Sequence, residues 1–308
     1  MPKIQKIVFL LLGAACLIPA VTTPMALAAG IIFSLIFGNP WLKKSVATSQ
    51  ILLKLSVIGL GFGLSIQDVW TVGRSSVGYT AVGITLTIAT GLILGRLLHI
   101  RGNTSALISC GTAICGGSAI AAIAPVIKAK DDETAVALAT VFTLNAVALI
   151  VFPLIGHHFN LTQHQFGVWA GLAIHDTSSV VGAAASYGAQ ALDIGTTVKL
   201  TRAAWIAPIA LVAGLLVRSG GKAKFPLFIV GFVAAAGLHS LLPQFSTLWQ
   251  ALSNVARQFL VLTLFLVGSG LTREVLQKIG IWPLLQGVTL WIIVSVLTLI
   301  VICTGIIA

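Results

Sequence analysis

The chain has 308 residues, of which 57% are hydrophobic and only 8% charged. A soluble globular domain carries about 25% charged residues, so a soluble fold is excluded. The net charge of +11 does not mark a nucleic-acid binder, because most Lys and Arg fall in short loops between apolar runs, where they orient membrane segments.

Lys3 and Lys6 precede an apolar run, Ile7 to Ala20. It has the layout of a signal peptide, with Ala26-Leu27-Ala28 as a cleavage-like triplet; the apolar runs behind it favour an uncleaved first helix. A second helix is predicted from Thr23 to Phe37, stopped by Gly38-Asn39-Pro40, and Lys43 and Lys44 mark a cytoplasmic loop. The third helix spans Thr48 to Leu64 and the fourth Val77 to Leu98, before His99-Ile100-Arg101.

The next segment, about 103–127, departs from the pattern. It runs Ser109-Cys110-Gly111-Thr112-Ala113-Ile114-Cys115-Gly116-Gly117-Ser118-Ala119-Ile120 and closes on Pro125. Unwound backbone in hydrocarbon is tolerated only inside protein or along a cavity, and a Gly-interrupted apolar segment is the best sequence pointer to a transporter's binding site. A charged loop at Lys128 to Glu133 leads to a helix from Thr134 to Ile155 with Asn145 near its middle. A polar loop with His157, His158 and His164 follows. A second interrupted segment, about 166–188, holds His175-Asp176-Thr177-Ser178-Ser179.

A helix opening near Thr196 and running to Val217 carries Lys199 and Arg202, and a basic loop follows with Arg218, Lys222 and Lys224. Helices are predicted for Phe225 to Leu242, Leu248 to Leu271 and Ile281 to about Ile306, with Arg273 and Lys278 in the last loop. Gly61-Phe62-Gly63-Leu64-Ser65 matches Gly268-Ser269-Gly270-Leu271-Thr272, each near a helix end, which points to duplication. With the N-terminus cytoplasmic, two re-entrant segments place the basic loops inside and relate the halves by inversion. The expected fold is an all-α polytopic membrane protein with two broken or re-entrant helices and about 9–11 membrane segments. It forms a single transmembrane domain over 1–308, with halves of about 1–160 and 161–308.

Of the seven acidic residues, only Asp176 lies within an interrupted segment. Lys199 and Arg202, three apart, share a helix face, and an intramembrane ionisable residue is a functional hypothesis by default. The bland readings are snorkelling for Lys199 and pairing with Asp176 for Arg202; Lys54 and Arg257, near helix starts, read as snorkelling. Hydroxyls, backbone N–H groups at half-helix N-termini and fixed cations suit an oxyanion. The candidate substrate-binding residues are therefore Thr112, Gly116, Gly117, Ser118, Thr177, Ser178, Lys199 and Arg202, with His175 and Asp176 as the proton-coupling pair. Enzyme motifs are lacking: Gly117 stands where a P-loop needs Lys, and there is no G-x-S-x-G or H-E-x-x-H. The four cysteines form no CxxC and read as small packing residues. No cofactor, metal or nucleic acid is expected.

Gly111 to Pro125, Ile174 to Val181 and Val198 to Arg202, in this order, resemble the YeiH-type family of bacterial inner-membrane proteins, described as sulfate exporters. That family is similar to the wider cation:proton antiporter and anion transporter group, with inverted repeats and broken helices at the site. The resemblance implies a secondary transporter of a small anion, sulfate or a related sulfur oxyanion, working by alternating access in the inner membrane. Its partners would be that anion and the surrounding lipid, and a homodimer stays open. Two alternatives also stay open: a cation/proton antiporter centred on Asp176, and a non-transporting membrane receptor or assembly factor.

Overall fold

The computed structural model describes residues 2–100, 103–217, 227–270 and 280–306. Fourteen α-helices follow in order, and no strand occurs among the described residues: α1 (Pro2–Ala15), α2 (Thr23–Phe37), α3 (Leu42–Gly61), α4 (Ile66–Leu97), α5 (Thr104–Ala113), α6 (Gly117–Ile123), α7 (Asp131–His158), α8 (Gln163–Ala173), α9 (Thr177–Tyr187), α10 (Ala189–Ala204), α11 (Ile206–Val217), α12 (Leu227–Leu241), α13 (Ser246–Ser269) and α14 (Ile281–Cys303). Five runs among the described residues are long and apolar enough to cross a bilayer: Ile66–Leu97, Asp132–His158, Ala189–Leu215, Pro243–Ser269 and Ile281–Cys303. The chain is an all-α polytopic membrane protein.

Contacts divide it into two compact units, Met1–Thr71 with Leu227–Val275, and Val72–Pro226 with Leu276–Ala308. In the first, α2 and α13 cross where glycine lets backbones meet. A Cβ on Gly30 would lie 2.9 Å from Ser269 N and closer still to the Phe265 carbonyl, and one on Gly268 would lie 3.1 Å from Ile31 N. Lipid tails are as apolar as leucine, so helices in a membrane associate through such close packing of small residues. The two matching pentapeptides do related work: a Cβ on Gly61 would strike the Phe232 carbonyl of α12, and one on Gly268 the Leu27 carbonyl of α2. Leu271 and Thr272 of the second copy lie outside the described residues. Phe9 of α1 is buried against Phe33 (ring centroids 5.4 Å apart) and Phe265 (5.1 Å), which ties the first helix into this core.

In the second unit, α10 lies in a shallow groove of α8. Gly167 and Gly171, one turn apart, face Ala191, Ile194, Gly195 and Val198, and a Cβ on Gly171 would lie 2.8 Å from the Val198 side chain. Gln286 of α14, fully buried, joins α4 and α5 by donating from Nε2 to Gly91 O (2.8 Å) and Ser105 Oγ (2.9 Å). Gly91 and Gly95 admit Ser109 and Ser105, a second small-residue seam.

Several boundaries differ from the sequence reading, each for a local reason. Lys43 and Lys44 lie exposed in the first turn of α3 rather than in a loop; Asn39 Oδ1 accepts from Trp41 N (2.9 Å), which organises the chain just before the helix. α4 starts at Ile66, eleven residues before Val77, because Ser65 accepts from Asp68 N (3.1 Å) while donating to its carboxylate (2.6 Å). α7 takes in the acidic end of the expected loop. Glu133 at its third position accepts from Lys130 N (2.8 Å) and Asn103 N (2.9 Å), satisfying N–H groups at a positive helix end. His157 and His158 belong to the last turn of α7, and His164 to α8, not to a loop. α10 opens at Ala189, with Gln163 Oε1 accepting from Gln190 N (3.0 Å). The expected single helix over 196–217 divides after Ala204, and Pro208 lacks the N–H that an unbroken helix would use at that turn. Arg101, Arg218, Lys222, Lys224, Arg273, Glu274 and Lys278 lie outside the described residues.

Replacing Gly30 with Ala forces its new methyl into the backbone of α13 and lowers stability by about 1–3 kcal/mol. Gly78→Ala, where a Cβ meets nothing within 4 Å, leaves stability unchanged or raises it by up to about 1 kcal/mol. Thermal unfolding of the two purified variants in detergent checks both; equal loss would remove the α2–α13 crossing as a packing constraint.

Candidate functional site

Both interrupted segments lie in the second unit. Between α5 and α6 the chain is unwound at Ile114, Cys115 and Gly116; between α8 and α9 it is unwound at Ile174, His175 and Asp176. The two stretches cross. A Cβ built on Gly116 would sit 3.2 Å from Asp176 Cβ and 3.3 Å from its Cα. Gly116 also has φ +67° and ψ −129°, a conformation that costs other residues about 1–3 kcal/mol. Glycine is required there twice, for conformation and for room. α8 and α9 have 11 residues each, so each is about 16 Å long against a hydrocarbon core of ~30 Å. Neither half is long enough to cross alone.

Breaking a helix leaves carbonyls unpaired at one end and N–H groups at the other. The residues that answer this are the two cations expected from sequence. Lys199 Nζ donates to Ile174 O (2.6 Å) at the end of α8. Arg202 donates from Nε to Ala113 O, from one terminal nitrogen to Leu172 O and from the other to Thr112 O (3.3 Å), so one guanidinium serves the ends of both α5 and α8. Their side chains are 0% and 2% exposed. Lys199 does not snorkel, and Arg202 spends its donors on main-chain carbonyls rather than on a carboxylate. Positive charge at a helix C-terminus also opposes the negative dipole end. The opposite end of α9 is capped by Asp176, whose carboxylate accepts from Ser178 N (3.1 Å) and from the Ser178 hydroxyl.

The α8–α10 groove explains why the cations arrive here. Gly195 packs against the Gly167 carbonyl, and Lys199 and Arg202 follow it on the same helix by one and two turns, level with the last carbonyls of α8. The crossing thus gathers Thr112, Gly116, His175, Asp176, Ser178, Lys199 and Arg202. Thr177 is buried at the first turn of α9, and Gly117 packs against Phe142 of α7. Ser118 alone among the expected site residues lies on an exposed face. Lys54 is exposed within α3 and Arg257 partly buried within α13, in the other unit.

Two residues outside the expected set join the site. Asn145 of α7, 3% exposed, accepts from Asp176 N through Oδ1 (3.2 Å), which ties α7 to the second break. Trp291 of α14 lies edge-on to the His175 ring, centroids 6.3 Å apart. Asn145 carried a signal, as an amide inside an apolar run. Trp291 carried none, since Trp is common at membrane interfaces.

The chain matches the family described as "Conserved hypothetical protein 698" over residues 6–287. UPF0324 membrane proteins are similar to it nearly end to end. That of Geobacter sulfurreducens is 56% identical over 298 residues, covering 97% of this chain and 96% of the relative. That of Bdellovibrio bacteriovorus is 51% identical over 304 residues, with 96% and 94% covered. That of Bacteroides thetaiotaomicron is 48% identical over 282 residues, with 91% and 86% covered. No solved structure matches. The chain belongs to this UPF0324 family, which bears out the resemblance to the YeiH-type proteins.

Removing either cation strands carbonyls in a buried site, at about 1–3 kcal/mol for each buried group left unpaired. Arg202→Met, which releases three carbonyls, therefore lowers the unfolding temperature in detergent more than Lys199→Met, which releases one. Equal shifts would show that the guanidinium does not cap both half-helices.

Proposed function

We propose that the chain is a secondary active transporter of small anions in the inner membrane, with its N-terminus cytoplasmic, and not an enzyme. The observation that supports this reading most is the charge at the helix crossing: two buried cations, Lys199 and Arg202, against one carboxylate, Asp176. The half-helix ends contribute about half a charge each, in opposing pairs that cancel, so the side chains leave a formal excess of one positive charge. An uncompensated charge in a low-dielectric interior costs several kcal/mol, and a bound anion offsets it where a bound cation adds to it. Sulfate and related sulfur oxyanions come first as cargo, on the resemblance to the YeiH-type proteins.

Asp176 is the group on which proton coupling would rest. Its carboxylate is both the acid at the crossing and the cap of α9. A proton added there removes a charge and weakens the acceptor that holds the Ser178 N–H, so protonation and the end of α9 are linked. His175 lies beside it in the unwound stretch. Alternating access to this site completes the mechanism.

The test is anion exchange by the purified protein in proteoliposomes, with sulfate, sulfite, thiosulfate, phosphate and small carboxylates. Saturable exchange of one class is expected. In Asp176→Asn, which keeps a capping side chain, exchange persists while its response to an imposed pH gradient disappears. Proton or sodium flux without any anion, abolished in Asp176→Asn, would overturn the anion reading in favour of a cation antiporter. Absence of all flux would leave the receptor reading.

A further inference from the structure

Buried polar atoms in folded proteins nearly always have partners, so those without one at the crossing carry information. Asn145 Nδ2, Trp291 Nε1 and both ring nitrogens of His175 are buried and lack a hydrogen-bond partner among the described residues. His175 is 1% exposed and Asn145 3%. The three side chains come from α7, α14 and the second break and meet at that break: Asn145 is bonded to the Asp176 amide, and the Trp291 ring lies edge-on to the His175 ring, centroids 6.3 Å apart.

The donor count is lopsided. The Asn145 amide is oriented by its Oδ1, which accepts from Asp176 N, so Nδ2 and its two hydrogens point away from that bond. The Trp291 indole only donates, and a neutral His175 adds one donor and one acceptor. The Thr112 hydroxyl, also buried at the crossing without a partner, can donate or accept, so donors outnumber acceptors about two to one in this group. Water, which donates as readily as it accepts, answers such an imbalance poorly; an oxyanion, which only accepts, answers it well. The Trp291 ring is also held in place: it stacks on Phe152 (5.9 Å), Phe152 stacks on Trp169 (4.2 Å), and Trp169 Nε1 donates to Ser295 O (3.0 Å). Its own N–H is left unused at the end of an ordered array, a pre-organised donor.

We infer that Asn145, Trp291 and His175 are the hydrogen-bond donors that hold the oxyanion, while Lys199 and Arg202, committed to main-chain carbonyls, supply field rather than direct contact. The inference rests on the anion-transport reading and divides its labour between two sets of residues. It also states a selectivity: the ligand presents several acceptor oxygens and no donor to this wall, so sulfate, sulfite or thiosulfate binds better than an amide or alcohol of the same size.

The experiment is anion affinity of the purified full-length protein in detergent, read by calorimetry and by thermal shift, with sulfate, sulfite and thiosulfate as probes. Trp291→Phe keeps the ring and removes one N–H, and affinity is expected to fall about tenfold, the worth of a hydrogen bond to a charged acceptor. Asn145→Asp keeps the acceptor for Asp176 N but turns the donor into an acceptor, and binding is expected to be lost. Trp249→Phe, whose N–H serves Leu242 O and which has no part in this array, is expected to bind as the wild type does. If the wild type binds an anion and Trp291→Phe binds it equally well, the inference is overturned and the transport reading stands. If the wild type binds no anion, both fall. Trp291→Phe alone decides the matter should Asn145→Asp not fold.

Discussion

A main-chain carbonyl left unpaired in hydrocarbon has no water to turn to, and the second unit of this protein is arranged around that constraint. Two helices are broken where they cross, so the ends of α5 and α8 point unpaired carbonyls into one small volume. Arg202 and Lys199 answer them from a single helix. For those side chains to reach, α10 must lie tightly along α8, which the Gly167, Gly171 and Gly195 contacts permit. Larger residues there would hold α10 off by a side-chain width and lift both cations from their carbonyls.

The same arrangement makes the crossing chemically unusual. An uninterrupted Leu- and Ile-rich helix would need no caps, no buried cations and no glycine at positive φ. The breaks therefore carry a cost, which in our reading is the cost of a working site. Each charged residue has a structural task and, in our reading, a second one: the cations cap and set the field, and Asp176 caps α9 and takes the proton. Asn145 connects the two kinds of task, since one end of its amide holds the Asp176 backbone and the other is left over. Trp291 is similar, with its ring in an aromatic stack and its N–H unused.

Much of the fold was legible from residue pattern. The 57% hydrophobic content and the runs between basic residues specify a helical membrane protein, because only helices and closed barrels satisfy backbone in lipid. The second helix was read at Thr23 to Phe37, as it stands, because Gly38-Asn39-Pro40 ends it unmistakably. Both interruptions were visible as glycine and hydroxyl clusters in apolar surroundings. Boundaries were misread where a side chain outside the apolar run extends the helix. Ser65 with Asp68 starts α4 early, Glu133 draws the charged segment into α7, and Gln163 caps α10 from another helix. Apolar periodicity is silent on all three.

For the site, the sequence by itself determined which residues are out of place in a membrane: the two glycine breaks, Asp176, His175, and the Lys199 and Arg202 pair. Those anomalies are local, and composition against a lipid background is enough to see them. Only the tertiary structure decided what each one touches. It made Arg202, expected as an anion-binding residue with carboxylate pairing as the bland alternative, a cap for two half-helices, set Ser118 on an exposed face, and brought Asn145 and Trp291 to the His175-Asp176 break from helices roughly 30 and 116 residues away in the chain. Such contacts depend on helix rotation and close approach through glycine, which are set by packing among distant segments and leave no periodic mark in the chain.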